Sequence, residues 1–333
     1  MKKLKIAVAG AGYMGRSHVR ILRSFEDVEL VGVLEPQLVN AKAIERMYGL
    51  KVYDSVQKLI DKQRIDAITI AVPTAYHYEL GKYCLSRKIA VLMEKPIAAR
   101  VDEGRKLVKL AKEWKAPLMI GHVERFNPAI VELKRRLIEG ELGKVFEIRA
   151  ERMGPFPARI SDVGVVVDLA THDIDIFEYL LGSRTVKTVT RTRSCFHPRR
   201  EDYEVSLLDF ANGVTGILSV NWITPTKIRQ LRMTGEKGMF LVNYLTQELF
   251  FYQNNSSEVK WEQMQIIKAV NEGDMIKIKV NNAEPLSVEL RAFVDAVKNK
   301  KEMPVEGNTG LRALKIAHAI LVSGKTNRKI RID

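Results

Sequence analysis

The feature that most constrains this chain is a glycine turn set between a strand and a helix. The apolar run Leu4–Ala9 leads directly into Gly10-Ala11-Gly12-Tyr13-Met14-Gly15, and a helical pattern follows from about Met14 to Ser24. In a G-x-G-x-x-G turn each glycine has its own task. Gly10 permits the tight turn, Gly12 lets backbone N–H groups approach a pyrophosphate at the helix N-terminus, and Gly15 lets helix and strand pack closely. Glycine-rich turns also occur in loops that bind nothing, so the context decides. Here a strand precedes, a helix follows, and an acid, Glu35, stands about twenty residues on, at the end of the second strand. Together these predict a dinucleotide site formed by Gly10, Gly12, Tyr13, Met14, Gly15 and Glu35. A carboxylate at Glu35 accepts hydrogen bonds from both ribose hydroxyls and repels a 2′-phosphate, and its neighbours Pro36 and Gln37 bring no positive charge. The expected cofactor is NAD rather than NADP.

The surrounding pattern extends this into a fold. Leu4–Ala9, Glu29–Leu34, Asp66–Ile70, Ile89–Leu92 and Pro117–Ile120 read as short strands alternating with helical stretches, the βαβ rhythm of a parallel sheet. After Gly121 longer strands follow: Lys144–Glu151, Tyr203–Phe210, Val214–Asn221, Ile228–Met233 and Met239–Tyr244. These predict a largely antiparallel sheet. One helix, Val165–Leu181, is stopped by Gly182 just past its end. The fold class expected is therefore α/β: residues 1–121 an N-terminal Rossmann domain, and residues 122–333 a substrate-binding and oligomerisation domain whose largely antiparallel sheet is open.

Composition narrows the function classes. The chain has 333 residues, 46% of them hydrophobic, enough for two cores. Apolar stretches such as Ile65–Val72 are interrupted by Asp66 and ended by Pro73, so no membrane span is expected. The opening Met1-Lys2-Lys3 followed by apolar residues imitates a signal peptide, but the run is short, glycine-rich and followed by Arg16, which fits a first strand better. The two cysteines, Cys84 and Cys195, sit in no Cys-x-x-Cys or Cys/His cluster. Neither a disulfide framework nor a metal site is expected, and a reducing, cytoplasmic setting fits. The formal charge of +14 is spread among 40 acidic residues rather than gathered on one stripe. That argues against a nucleic-acid partner and suits an anionic small substrate.

Ligands of an open α/β sheet lie beyond the carboxyl ends of its strands. Two segments occupy such ends. After Asp66–Ile70 come Pro73 and Thr74 with His77 close behind, and after Ile89–Leu92 come Glu94-Lys95-Pro96. Taken with Asp168-x-x-x-His172 on the helix of the second domain, these motifs resemble the glucose-fructose oxidoreductase/inositol dehydrogenase (Gfo/Idh/MocA) family over essentially the whole chain. The resemblance implies a homodimer or homotetramer assembled through the open sheet. It also implies a cis peptide between Lys95 and Pro96, which the need to turn sharply at the strand end suggests independently, since X-Pro bonds adopt cis cheaply.

The residues make chemical sense without the family. Oxidising a secondary alcohol needs a base for the hydroxyl proton, while the cofactor carries the electronic part. Lys95 at a strand end can hydrogen-bond the hydroxyl and stabilise alkoxide charge. A helix puts Asp168 and His172 on one face, where the carboxylate orients the imidazole and stabilises its protonated form. Lys95, His172 and Asp168 are the candidate catalytic residues. Pro73, Thr74, His77, Glu94 and Lys95 join the glycine turn as cofactor contacts, His77 and Glu94 either orienting the cofactor or supporting backbone turns rather than exchanging protons. Asp173 and Asp175 read as the polar side of the helix.

Gly121–Pro128 and Gly154–Gly164 are similar to the branch of that family that acts at C3 of UDP-N-acetylhexosamines. A diphosphate calls for arginines, whose fork matches phosphate oxygens. Arg152 and Arg159 flank or lie in the Gly/Pro-rich loop, Arg159 being favoured, and Arg125 and Asn127 add candidate polar contacts, although Asn127-Pro128 also reads as a helix start. The expected partner is a nucleotide sugar. A free polyol or inositol substrate, a uronic-acid form of the UDP-sugar, and a non-catalytic NAD-sensing regulator stay open as alternatives.

Overall fold

The computed structural model describes residues 3–157, 163–254 and 273–333. The chain divides into two compact units. One is built from the chain up to Phe126 joined by Glu284–His318, and the other begins at Asn127 and ends with Ala319–Asp333. The division falls close to Gly121, but the return of Glu284–His318 to the first unit departs from a second domain running unbroken from 122 to 333.

The first unit is a parallel six-stranded sheet. Its strands are Leu4–Ala9 (β1), Val28–Leu34 (β2), Val52–Tyr53 (β3), Ala67–Ile70 (β4), Ala90–Glu94 (β5) and Leu118–Gly121 (β6), in the order β3-β2-β1-β4-β5-β6. This is the dinucleotide-binding order, in which the sheet reverses direction beside β1. Only β3, two residues long, escapes the alternation visible in the sequence. Helices Tyr13–Leu22 (α1), Leu38–Tyr48 (α2), Val56–Lys62 (α3), His77–Leu85 (α4) and Val101–Trp114 (α5) connect the strands. Ile6, Val8, Ile68, Ile70, Val91 and Leu92 are fully buried, as strands covered on both faces must be.

The returning segment completes this core. In the helix Pro285–Asn299, Leu290, Phe293 and Val294 fall at helical spacing and join the same buried cluster as the sheet. Its outer side is tied down at Asp27, which receives Arg291 Nη1 at 2.8 Å and Nη2 at 3.1 Å, with Lys298 on the same carboxylate. These two cations hold Asp27 well below the usual carboxylate range. Ile120 N also donates to Val305 O at 3.0 Å, so the return runs beside β6.

The second unit carries a mixed sheet of strands Val145–Pro155 (β7), Thr185–Arg193 (β8), Tyr203–Phe210 (β9), Thr215–Asn221 (β10), Ile223–Gly235 (β11), Gly238–Asn243 (β12), Glu248–Gln253 (β13), Met275–Ile278 (β14) and Ile330–Arg331 (β15). The order is β14-β13-β12-β11-β7-β10-β9-β8-β15. All pairings are antiparallel except β7 with β10 at the centre. Helix Pro128–Ile138 (α6) starts at Asn127, whose Oδ1 accepts from Ala129 N at 3.1 Å, with Pro128 in the first turn. Lys134 donates to the carbonyls of Tyr179 and Leu180 at 2.7 and 3.1 Å, a cation at the C-terminus of helix Thr171–Leu181 (α7). Gly182 ends α7 at φ +58°, as its place in the sequence predicts.

A chain of hydroxyls runs through the interior of this sheet. Thr190 Oγ1 lies 3.1 Å from Thr188 Oγ1 and 2.6 Å from Ser206 Oγ, and Ser206 donates to Glu204. Glu204 is wholly buried, and desolvation pushes its carboxyl up to about 8 against the pull of Ser206. A folded-state value above the ordinary one means that the native chain holds the proton more tightly than the unfolded chain does. The resulting stability is full below the ordinary carboxyl range and is lost as pH rises through about 8. Glu204→Gln is expected to raise Tm over wild type by about 4 °C or more near pH 9 and by much less near pH 5, read by thermal unfolding. A pH-independent difference would contradict a neutral Glu204.

Candidate active site

The glycine turn is as tight as its spacing predicts. Gly10 sits at φ +96°, and a Cβ there would meet Ala71 O at 2.4 Å. A Cβ on Gly15 would lie 1.9 Å from Gly10 O, so helix and strand touch through these two glycines. On Gly12 a Cβ would meet nothing within 4 Å. Gly12 is also the N-cap of α1 and offers no side-chain cap. Open space beside first-turn N–H groups fits a phosphate, which completes their hydrogen bonding and lies along the helix dipole.

A cleft of about 610 Å³ opens from this turn, lined by Gly10, Gly12, Glu35, Gln37, Asn40 and Pro73 among others. Glu35 is buried at the end of β2, its Oε2 accepting from Ala11 N and its Oε1 from Gln37 N, each at 2.9 Å. A carboxylate has about four acceptor positions, so two remain for a ribose diol. The residues fit NAD: an anion cradle, an acid for the ribose, and a cleft joining them. Tyr13 is exposed at the first position of α1, and Met14 packs against the core.

At the neighbouring strand ends the structure explains His77 and Glu94. Pro73 leads into a tight turn, Thr74–Tyr76, and His77 opens α4. His77 is buried, with Nδ1 2.8 Å from Pro96 O and Nε2 3.0 Å from Val72 O. His77 thus ties the loop after β4 to the loop after β5. The Lys95–Pro96 peptide in that second loop is cis, as expected. Glu94 is held by a residue that the motifs do not include, His18, whose Nε2 lies 3.0 Å from Glu94 Oε1. His18 is fully buried on α1. Its signal in the sequence is its place one turn after Gly15, on the inward side of the helix.

In the second unit Asp168 and His172 fall on the helical segment that follows Gly164, with one difference from the continuous helix expected. Val166–Ala170 is a π-helical turn, and the α-helix proper begins at Thr171. Such turns are frequent at functional sites. Asp168 and His172 are both half-buried. The start of this segment is held by Glu201: its carbonyl accepts from Val165 N at 3.0 Å, and its Oε1 lies 3.4 Å from Val166 N. A Cβ on Gly164 would fall 2.0 Å from the same carboxylate, which would have to swing aside to admit it. Burial pushes the Glu201 carboxyl up.

Three expectations are corrected. Arg152 is only 4% exposed and donates from Nε and Nη2 to Asp173 at 2.6 and 3.0 Å, with its guanidinium 4.9 Å from the Tyr244 ring centroid. Its fork is engaged inside the protein, so it is not a diphosphate ligand. Asp173 and Asp175 are accordingly buried rather than on a polar helix side. Asn127 is consumed by capping α6 and by donating from Nδ2 to Tyr244 O at 3.2 Å, so it is not a substrate contact. Arg125 lies half-buried in the turn Val123–Phe126. Arg159 falls outside the described residues.

The dinucleotide sheet order, the glycine turn and the acid at the end of β2 define an NAD-binding oxidoreductase. The chain belongs to the Gfo/Idh/MocA oxidoreductase family: the model of its NAD-binding Rossmann fold matches residues 4–122, and that of its C-terminal α/β domain matches residues 134–332. It is an NAD-dependent dehydrogenase. Among its relatives, UDP-N-acetylglucosamine 3-dehydrogenase of Acidithiobacillus ferrooxidans is 24% identical over 97% of this chain and 98% of its own. Inositol 2-dehydrogenase of Rhizobium meliloti is 25% identical over 99% of each. A solved structure of the Acidithiobacillus ferrooxidans enzyme superposes with TM-score 0.85 at 23% identity, covering 98% of this chain and 99% of its own. No helix among the described residues is long and apolar enough to cross a membrane.

Proposed function

We propose that the enzyme oxidises a secondary hydroxyl of a nucleotide sugar, the C3 hydroxyl of UDP-N-acetylglucosamine. The observation that carries this is the end-to-end likeness to UDP-N-acetylglucosamine 3-dehydrogenase, which extends over 97% of the chain and so includes the segment ahead of Asp168 and His172. Bound NAD supplies the hydride acceptor. Lys95 donates a hydrogen bond to the substrate hydroxyl oxygen and stabilises the negative charge that builds there. His172 takes the hydroxyl proton, and Asp168 stabilises the imidazolium that results. With Arg152 committed to Asp173, the diphosphate falls to Arg159, on its place in the Gly154–Asp162 sequence, with Arg125 as a second cation. Binding energy from the nucleotide fixes the reacting carbon, so a free sugar loses turnover as well as affinity. The same proposal takes the enzyme as a cytoplasmic homodimer or homotetramer.

A second substrate class is favoured by one observation, the equally complete match to an inositol 2-dehydrogenase. Incubation with NAD and UDP-N-acetylglucosamine, followed by NMR of the product, tests the first assignment. A 3-keto sugar is the expected result, and a ketone at another carbon would overturn the C3 assignment.

A further inference from the structure

Around the acid that faces the ribose, the first unit carries a closed ring of hydrogen bonds. Glu35 Oε2 accepts from Ala11 N at 2.9 Å, and Ala11 O accepts from Arg16 Nε at 2.8 Å. Arg16 Nη2 donates to Asn40 Oδ1 at 3.2 Å, Asn40 Nδ2 donates to Gln37 Oε1 at 3.0 Å, and Gln37 N returns to Glu35 Oε1 at 2.9 Å. The ring joins the glycine turn, the first turns of α1 and the β2–α2 turn. It sets a carboxylate on the N–H and a guanidinium on the C=O of one residue, Ala11, and so on two successive peptide groups.

The local sequence after β2 holds no arginine, which is why the site reads as lacking the cation of an NADP enzyme. The fold supplies one from α1 instead. Asn40 and Gln37, the residues that Arg16 reaches directly and through one bond, line the same cleft as Glu35. The nearby Lys58 is already paired with Asp54 at 2.6 Å. We propose that Arg16 is a specificity-determining residue for the cofactor. In the native enzyme it braces the ring that holds Glu35 against the ribose, and the Glu35 charge excludes a 2′-phosphate. Once Glu35 is neutralised, the guanidinium is the group that receives that phosphate, because its fork matches phosphate oxygens and its charge is permanent.

The proposal concerns the cofactor alone, so it stands or falls separately from the sugar assignment. Calorimetry with NAD and with NADP, without any sugar, on wild type, Glu35→Ser, Arg16→Gln and the double variant gives the test. Glu35→Ser is expected to bind NADP roughly tenfold or more tighter than wild type does. Adding Arg16→Gln is expected to remove roughly tenfold of NADP affinity while NAD affinity stays within about threefold of Glu35→Ser. Arg16→Lys in the same background keeps the charge and recovers part of the loss. Two outcomes would overturn the proposal: NADP affinity unchanged between Glu35→Ser and the double variant, or NAD and NADP affinities falling together, which marks Arg16 as a structural brace only.

Discussion

Lys95→Ala and His172→Ala are each expected to lower turnover by roughly a hundredfold or more while calorimetry shows NAD binding retained. The two losses have different physical origins. In the proposed mechanism Lys95 is the donor at the end of β5 that stabilises charge on the hydroxyl oxygen, so its loss removes that stabilisation. In the same mechanism His172 is the base, so its loss removes the proton acceptor itself. Asp168→Asn should fall between wild type and His172→Ala, because it leaves the base in place and withdraws support from its charged form. If His172→Ala turned over at the native rate, the proton would have to leave through Lys95 or water, and the assignment to His172 would be wrong.

Arg152→Ala is expected to destabilise the protein by about 3–5 kcal/mol, the usual cost of removing one partner from a buried ion pair. The loss has a clear cause. Asp173 is as deeply buried as Arg152, and both of its oxygens accept from the guanidinium. Taking the arginine away strands a carboxylate where water cannot reach it. Replacing both residues with apolar side chains of similar size should restore most of the stability, since the stranded charge is then gone. Urea unfolding reads this directly. An Arg152→Ala protein of native stability with a raised KM for the nucleotide sugar would show instead that the arginine serves the substrate.

Features carried by adjacent residues were legible in the sequence. Gly10, Gly12 and Gly15 act through their own backbone, and Glu35 follows at a fixed offset, so the cofactor turn could be read residue by residue. The cis Lys95–Pro96 peptide and the Gly182 cap are local in the same way. What escaped depends on partners far along the chain. Arg152 reads as a diphosphate ligand beside a Gly/Pro-rich stretch until β7 lies against α7 and Asp173 claims its fork. His18 and Glu94 are 76 positions apart, and only the packing of α1 beside β5 makes them a pair. Arg16 was invisible as a cofactor determinant because its partner Asn40 stands 24 positions on, past β2. Glu284–His318 gives no local sign that it returns to the first sheet, since an amphipathic helix shows that it must bury a face but not against what.

Whether the substrate is a nucleotide sugar is read most directly from kcat/KM for NADH formation with UDP-N-acetylglucosamine, free N-acetylglucosamine and myo-inositol side by side. The UDP-sugar is expected to exceed both others by roughly a hundredfold or more, with part of the difference in kcat, because the diphosphate positions the reacting carbon as well as binding it. Equal or better kcat/KM with myo-inositol or the free sugar would contradict the nucleotide-sugar assignment and leave the dehydrogenase standing.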